Sequence, residues 1–139
     1  MLKQDNLIVQ SQLEQLTEVQ QWFQRFCATS GMPWVKDAYD QLNLALAEGF
    51  TNAVRHAHAE LPAETPIQLE LHLWMDRIEA QIWDWGDPFD PSLIQEPEPG
   101  TLSEGGYGWF LLRRLADQVE YKRDRDRNCL WIVKYARDA

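Results

Sequence analysis

Alternation of apolar and polar residues is strictest in the run Ile67 to Met75, where Ile67, Leu69, Leu71, Leu73 and Met75 fall on one face. It predicts a strand with one buried face. Asp76-Arg77 supplies a hairpin turn, and Ile78 to Gly86 follows as a second strand whose inward register runs Ile78, Ala80, Ile82 and ends on Asp84. Upstream, Asn6 to Gln10 is short and β-rich, and Leu13, Leu16, Val19, Phe23 and Phe26 recur at helical spacing between Ser11 and Ser30. Gly31 and Pro33 punctuate the chain, because glycine ends helices and proline is tolerated in a first helical turn. A second helix is expected from there to about Ala59. Leu61 to Pro66 is a turn-rich link. Beyond the two strands, Gly86 to Gly106 is rich in proline and acidic residues without periodicity, which reads as a long loop. Gly108 to Ala116 returns to helix. Val119, Tyr121 and then Leu130 to Tyr135 supply two closing strands around a solvated, charge-alternating tip at 124–128. The order implies an α+β fold, an α/β sandwich with helices on one face of a mixed, mostly antiparallel sheet, in a single domain over residues 1–139.

Composition narrows the function classes. A chain of 139 residues can bury a proper core as one domain. Its formal charge of -9 argues against an electrostatic grip on nucleic acid or an anionic membrane, which needs clustered Lys and Arg. Proteins and small molecules are the expected partners. Cys27 and Cys129 have no metal-ligand spacing, no charged stretch followed by an apolar run opens the chain, and no segment reaches the roughly 18 to 20 apolar residues of a membrane span. A reducing cytoplasm is the expected compartment.

The candidate chemistry begins on the second helix, in Leu44 to His56. Glu48, Asn52 and His56 recur every fourth position and line one side, while Leu42, Leu46, Gly49, Phe50, Ala53 and Ala57 form the opposite, apolar arc. A carboxylate one turn from a carboxamide suits a magnesium-nucleotide site: one group handles a proton and the other offers a neutral oxygen to a hard cation. The same pair is also common on solvated helices. Two further stretches change the balance. Asp84 at a strand end can accept a hydrogen bond from an adenine amino group, and Gly86, two residues on, lets a flat ligand approach the backbone. Gly105-Gly106-Tyr107-Gly108 precedes a helix, where free N–H groups and the positive dipole end favour phosphate. Each stretch alone is an ordinary connector, but their order and spacing together are distinctive.

The series Glu48-x3-Asn52-x3-His56, Asp84-x-Gly86-x2-Phe89-Asp90 and Gly105-Gly106-x-Gly108-x-Phe110 resembles the N, G1 and G2 boxes of the GHKL ATPases. Within that superfamily it is most similar to the anti-sigma-factor serine kinases, with Leu111-Leu112 and Asp117 to Glu120 following as in that branch. The resemblance runs from about Asn6 to Tyr135 and implies the Bergerat fold, with ATP held between the helices and a mobile lid. It implies that Asn52 ligates magnesium, Glu48 acts as base, Asp84 reads adenine, Gly86 makes room for the base, and Gly105, Gly106 and Gly108 close on the phosphates. Arg55 and His56 join the nucleotide-binding set. The segment Pro91 to Glu104 is the expected lid. Asp87-Pro88 stands where many superfamily members carry a glycine. In the absence of a P-loop lysine, Arg55 or Arg113 is the candidate cation for phosphoryl transfer.

By the same resemblance the partners are an anti-sigma-factor antagonist and, as a further option, a sigma factor, with a homodimer left open. The leading reading is an ATP-dependent protein serine kinase acting by partner switching. The alternative is a non-catalytic, nucleotide-responsive binding module. A histidine-kinase catalytic domain ranks below both, because no helical hairpin with a phosphoacceptor histidine precedes Glu48. His56 and His58 diverge on a helix and make a poor metal pair, and His72 lies opposite its strand's apolar set. Trp85 and Trp109 flank the expected site as optical reporters.

Overall fold

A computed structural model describes residues 1–88 and 107–137, with Tyr107 and Gly108 described by their backbone alone. Five strands form one sheet in the order β1-β2-β3-β5-β4, and every neighbouring pair is antiparallel. They are β1 (Lys3–Gln10), β2 (Pro66–Leu73), β3 (Arg77–Asp84), β4 (Gln118–Asp124) and β5 (Arg127–Tyr135). The mixed sheet expected from sequence is thus purely antiparallel within the described residues. The last strand inserts between β3 and β4, which leaves the short, charged β4 at one edge, where charge discourages pairing with another chain.

The alternation in β2 and β3 sorts their side chains as expected. Ile67, Leu69, Leu71, Leu73, Ile78 and Ile82 are almost fully buried. Met75 is 73% exposed, because β2 ends at Leu73 and the turn closed by Trp74 N–H to Arg77 O carries Met75 out of register. Helices α1 (Leu16–Ala28), α2 (Pro33–Asn52) and α3 (Tyr107–Leu115) contribute Phe23, Leu46, Phe50 and Leu112 to the same core. A single 3-10 turn at Leu13–Gln15 precedes α1, so the expected helix starts later than its periodicity suggests. Gly31, at φ +74, turns the chain between α1 and α2, and Pro33 opens α2. Glycine also lets α2 approach the sheet: a Cβ on Gly49 would stand 2.7 Å from both Ile82 Cδ1 and Leu130 Cδ2. Among the described residues no helix is long and apolar enough to cross a membrane.

The main departure lies at the end of α2. The α-helix stops at Asn52 and Ala53–Ala57 forms a π-turn, with His58 N–H donating to Ala53 O at 2.9 Å. An i to i−5 bond accommodates one extra residue per turn, so side chains after Asn52 leave the 100° progression assumed from sequence. His56 stays exposed while His58 turns inward to 3% exposure.

Candidate functional site

A cavity of about 470 Å³ opens where the end of α2, the end of β3 and the start of α3 meet. Asn52 and His56 line its helical side, Asp84 and Gly86 its strand side, and Trp109 and Tyr121 its aromatic wall. Trp109 and Tyr121 meet edge to face at 5.3 Å, with 71° between their planes.

Asp84 is the most strongly organised group in this wall. It ends the inward register of β3 and is 2% exposed. Its Oδ1 accepts from Gly86 N–H at 2.8 Å and from Asn128 Nδ2 at 2.9 Å, and its Oδ2 accepts from Tyr121 O–H at 2.7 Å. A carboxylate offers about four acceptor positions. Among the described residues three are taken, and none of these residues takes the fourth, on Oδ2. Burial, then the Asp84 charge, push the Tyr121 hydroxyl well above the usual phenol range, so it stays a donor.

Asn128 extends this clamp. It is 1% exposed, stands opposite Asp84 in the β3–β5 ladder, and its Nδ2 also donates toward Gly86 O at 3.0 Å and Asp87 O at 3.1 Å. Arg123 Nη1 donates to Gly86 O at 2.7 Å and to Asn128 Oδ1 at 3.3 Å. The charged hairpin tip is solvated as expected at Asp124, Arg125 and Asp126, while Arg123 and Asn128 on either side of it reach the site. Arg127 likewise lies back over the sheet, 4.5 Å from the Trp83 ring and 5.5 Å from the Trp85 ring.

On the helical side, Asn52 Nδ2 is buried and finds no hydrogen-bond partner among the described residues. Carboxamide oxygen and nitrogen are interchangeable without changing the side chain's shape, so this wall presents either a spare donor or a spare acceptor. Such a group fits the polar end of a ligand, including an oxygen ligand for a divalent ion. Glu48, one turn earlier, is half-buried and not part of the cavity lining. Arg55 is exposed and also outside the lining, whereas His56 lies within it. Arg113 is exposed on α3, with its guanidinium 5.7 Å from the Phe110 ring. Gly108 falls in the first turn of α3. Gly105, Gly106 and the expected lid lie outside the described residues.

The helical and strand sides touch backbone to backbone. A Cβ at Gly86 would stand 2.6 Å from Ala57 O and 3.0 Å from Ala57 Cβ. Beside this contact, Trp85 N–H donates to His58 Nε2 at 2.8 Å. Neither His58 nor Tyr121 nor Asn128 stands out in the sequence as a site residue. A polar residue on the inward register of a strand, as Asn128 is in β5, was the one available signal.

An antiparallel sheet layered on one face by helices, with a largely apolar cavity that carries Asn52, His56 and Asp84 between the second helix and the third strand, is an α+β sandwich of the ATPase-domain class. The chain belongs to the histidine kinase-like ATPase domain family, whose model matches residues 9–134. Among curated proteins it is similar to the serine-protein kinase RsbW of Halalkalibacterium halodurans, at 38% identity over 63% of this chain and 57% of that protein. The serine-protein kinase RsbW of Bacillus subtilis matches at 35% identity over 65% of this chain and 61% of that protein. The chain thus spans about three fifths of the length of these relatives. A crystal structure of the RsbU and RsbW domains of a Mycobacterium tuberculosis protein superposes with a TM-score of 0.67 at 14% identity, over 97% of this chain and 34% of that one. At that identity the likeness concerns the fold.

Proposed function

We propose that the cavity binds Mg-ATP and that the chain acts as a protein serine kinase and anti-sigma factor, phosphorylating an antagonist protein in a partner-switching pathway of the cytoplasm. The observation that carries this reading is Asp84: a buried carboxylate on the cavity wall, oriented by three donors, with one acceptor position left. That position suits the amino group of adenine and opposes the carbonyl that guanine carries there. The family assignment and the similarity to serine-protein kinases support the kinase part of the reading.

The residues divide the work in space. Asp84 and Gly86 take the base end, Trp109 and Tyr121 exclude water from it, and Asn52 and His56 face the phosphate end. Asn52 would hold magnesium, which when bound supplies charge neutralisation on the phosphates. In the transfer, a serine oxygen of the antagonist forms the new bond to the γ-phosphorus as the bond to the β–γ bridging oxygen breaks. Glu48 accepts the serine proton, and ADP leaves with the bridging oxygen. Isothermal titration with ATP and GTP tests the base-reading part. Binding of ATP with no binding of GTP is expected, and equal affinity would overturn the assignment of Asp84. Following labelled phosphate into a serine-bearing antagonist tests the rest.

One observation favours a second reading, a nucleotide-responsive binding module without chemistry. Glu48 does not line the cavity. If the parent binds Mg-ATP and its antagonist yet transfers no phosphate, this second reading stands.

A further inference from the structure

We propose that His58 is a positioning residue for the nucleotide pocket: its unprotonated Nε2 anchors the Trp85 amide and thereby holds the Asp84–Gly86 turn against the end of α2, so that nucleotide affinity falls when the ring takes up a proton. This deepens the nucleotide reading above and rests on it.

The geometry supplies the first support. A backbone N–H can only donate, so the 2.8 Å contact from Trp85 N–H requires a lone pair on His58 Nε2. The ring must then be neutral, with its proton on Nδ1. That Nδ1 is buried and finds no partner among the described residues, so among them the Nε2 contact is the ring's one hydrogen bond. Protonation would place an N–H on Nε2 facing the N–H of Trp85. Two donors cannot share one hydrogen bond, and the Trp85 backbone would have to withdraw.

The consequence for the pocket follows from what Trp85 joins. It sits between Asp84, which turns its carboxylate to the cavity, and Gly86, whose N–H donates to that same carboxylate at 2.8 Å. Gly86 packs so closely on Ala57 that a Cβ there would overlap Ala57 O. A withdrawal of Trp85 therefore disturbs the carboxylate proposed to read the base. The π-turn brings this about, since His58 N–H bonds to Ala53 O and the ring swings to the strand end rather than to solvent.

The electrostatic surroundings oppose each other. Burial lowers the basicity of the ring below the ordinary histidine value, and the Asp84 charge on β3 partly restores it. On its own segment Arg55, His56 and Glu60 are exposed. Because burial wins, the neutral ring is favoured more strongly than in an ordinary histidine, and protonation needs a more acidic solution than a free imidazole does. Affinity is then insensitive to this ring near neutral pH and declines as the solution is acidified and the ring takes up its proton.

The test compares the parent with His58→Gln, whose side-chain oxygen can stand where Nε2 stands and accepts without titrating, and with His58→Leu, which has no acceptor. ADP with magnesium is titrated by calorimetry at pH 7.5 and pH 5.0, and circular dichroism checks folding in each case. The parent is expected to lose roughly tenfold more affinity than His58→Gln on acidification, about the worth of one hydrogen bond. His58→Leu should be weak at both pH values. The glutamine variant shares every other titration, nucleotide phosphates included. An equal loss in parent and His58→Gln would overturn the role of His58 and leave the nucleotide reading intact. No binding by the folded parent at pH 7.5 would overturn the nucleotide reading and this inference with it.

Discussion

Replacing Gly86 by alanine tests the backbone contact on which the cavity's geometry depends. The added methyl would stand 2.6 Å from Ala57 O and 3.0 Å from Ala57 Cβ, and neither neighbour is the end of a flexible side chain. The π-turn and the end of β3 must part by several tenths of an ångström. Forcing one methyl into a packed interior costs about 1–3 kcal/mol. The separation also stretches the 2.8 Å bond from Trp85 to His58, and losing one such bond costs about a further 1 kcal/mol. A destabilisation of about 2–4 kcal/mol is expected, a large share of the roughly 5–15 kcal/mol that holds a domain together. With a urea slope of about 2 kcal/mol per molar, the unfolding midpoint should fall by roughly 1–2 M at unchanged slope. Adding Ala57→Gly should restore little, since the shorter contact is to a carbonyl oxygen that every residue at that position carries. A Gly86→Ala midpoint equal to the parent's, or full rescue by Ala57→Gly, would refute the reasoning.

Four other substitutions separate neighbouring effects. Gly49→Ala also meets contacts of 2.7 Å, but to the methyl ends of Ile82 and Leu130, and alanine gains about 1 kcal/mol of helix propensity; its midpoint should fall less than that of Gly86→Ala. Tyr121→Phe removes a donor from the buried Asp84 carboxylate and should cost about 1.5–3 kcal/mol in the same assay, the usual worth of a hydrogen bond to a charged group. Glu48→Gln should keep nucleotide affinity and lose roughly 10²- to 10⁴-fold in phosphoryl transfer, whereas Asn52→Ala should weaken both, as calorimetry and labelled phosphate will tell.

The strands and their inward faces were legible because alternation is a local property. Asp84 was located correctly at the end of the β3 register by counting twos from Ile78. The groups that orient Asp84 were not legible. Asn128 lies 44 positions away and Tyr121 lies 37 away, and both reach it only through a strand order in which β5 slips between β3 and β4. Nothing in the local composition of either segment encodes that order. The π-turn escaped for a related reason. Leu44 to His56 has unbroken α periodicity, and the switch to i−5 bonding coincides with the docking of Ala57 and His58 on Trp85–Gly86, a tertiary contact. Helical counting placed Glu48, Asn52 and His56 on one stripe, while the cavity takes only the last two, because it opens at the end of α2 and Glu48 stands a full turn earlier on the regular helix.

The same network changes how a mutation of Asp84 has to be interpreted. Asparagine at this position would replace one acceptor oxygen by an NH2 group that can only donate. The replaced oxygen now faces either Tyr121 O–H or the pair formed by Gly86 N–H and Asn128 Nδ2. In one orientation the Tyr121 hydroxyl can rotate and accept, whereas the Gly86 amide in the other orientation cannot. The variant is thus driven to place its NH2 toward Tyr121, the side on which the carboxylate had its spare acceptor position. It loses that acceptor and keeps most of the clamp. Weak ATP binding by a well-folded Asp84→Asn protein would then report on the base-reading oxygen itself, and a Gly86→Ala protein would lose binding through geometry with that oxygen still present.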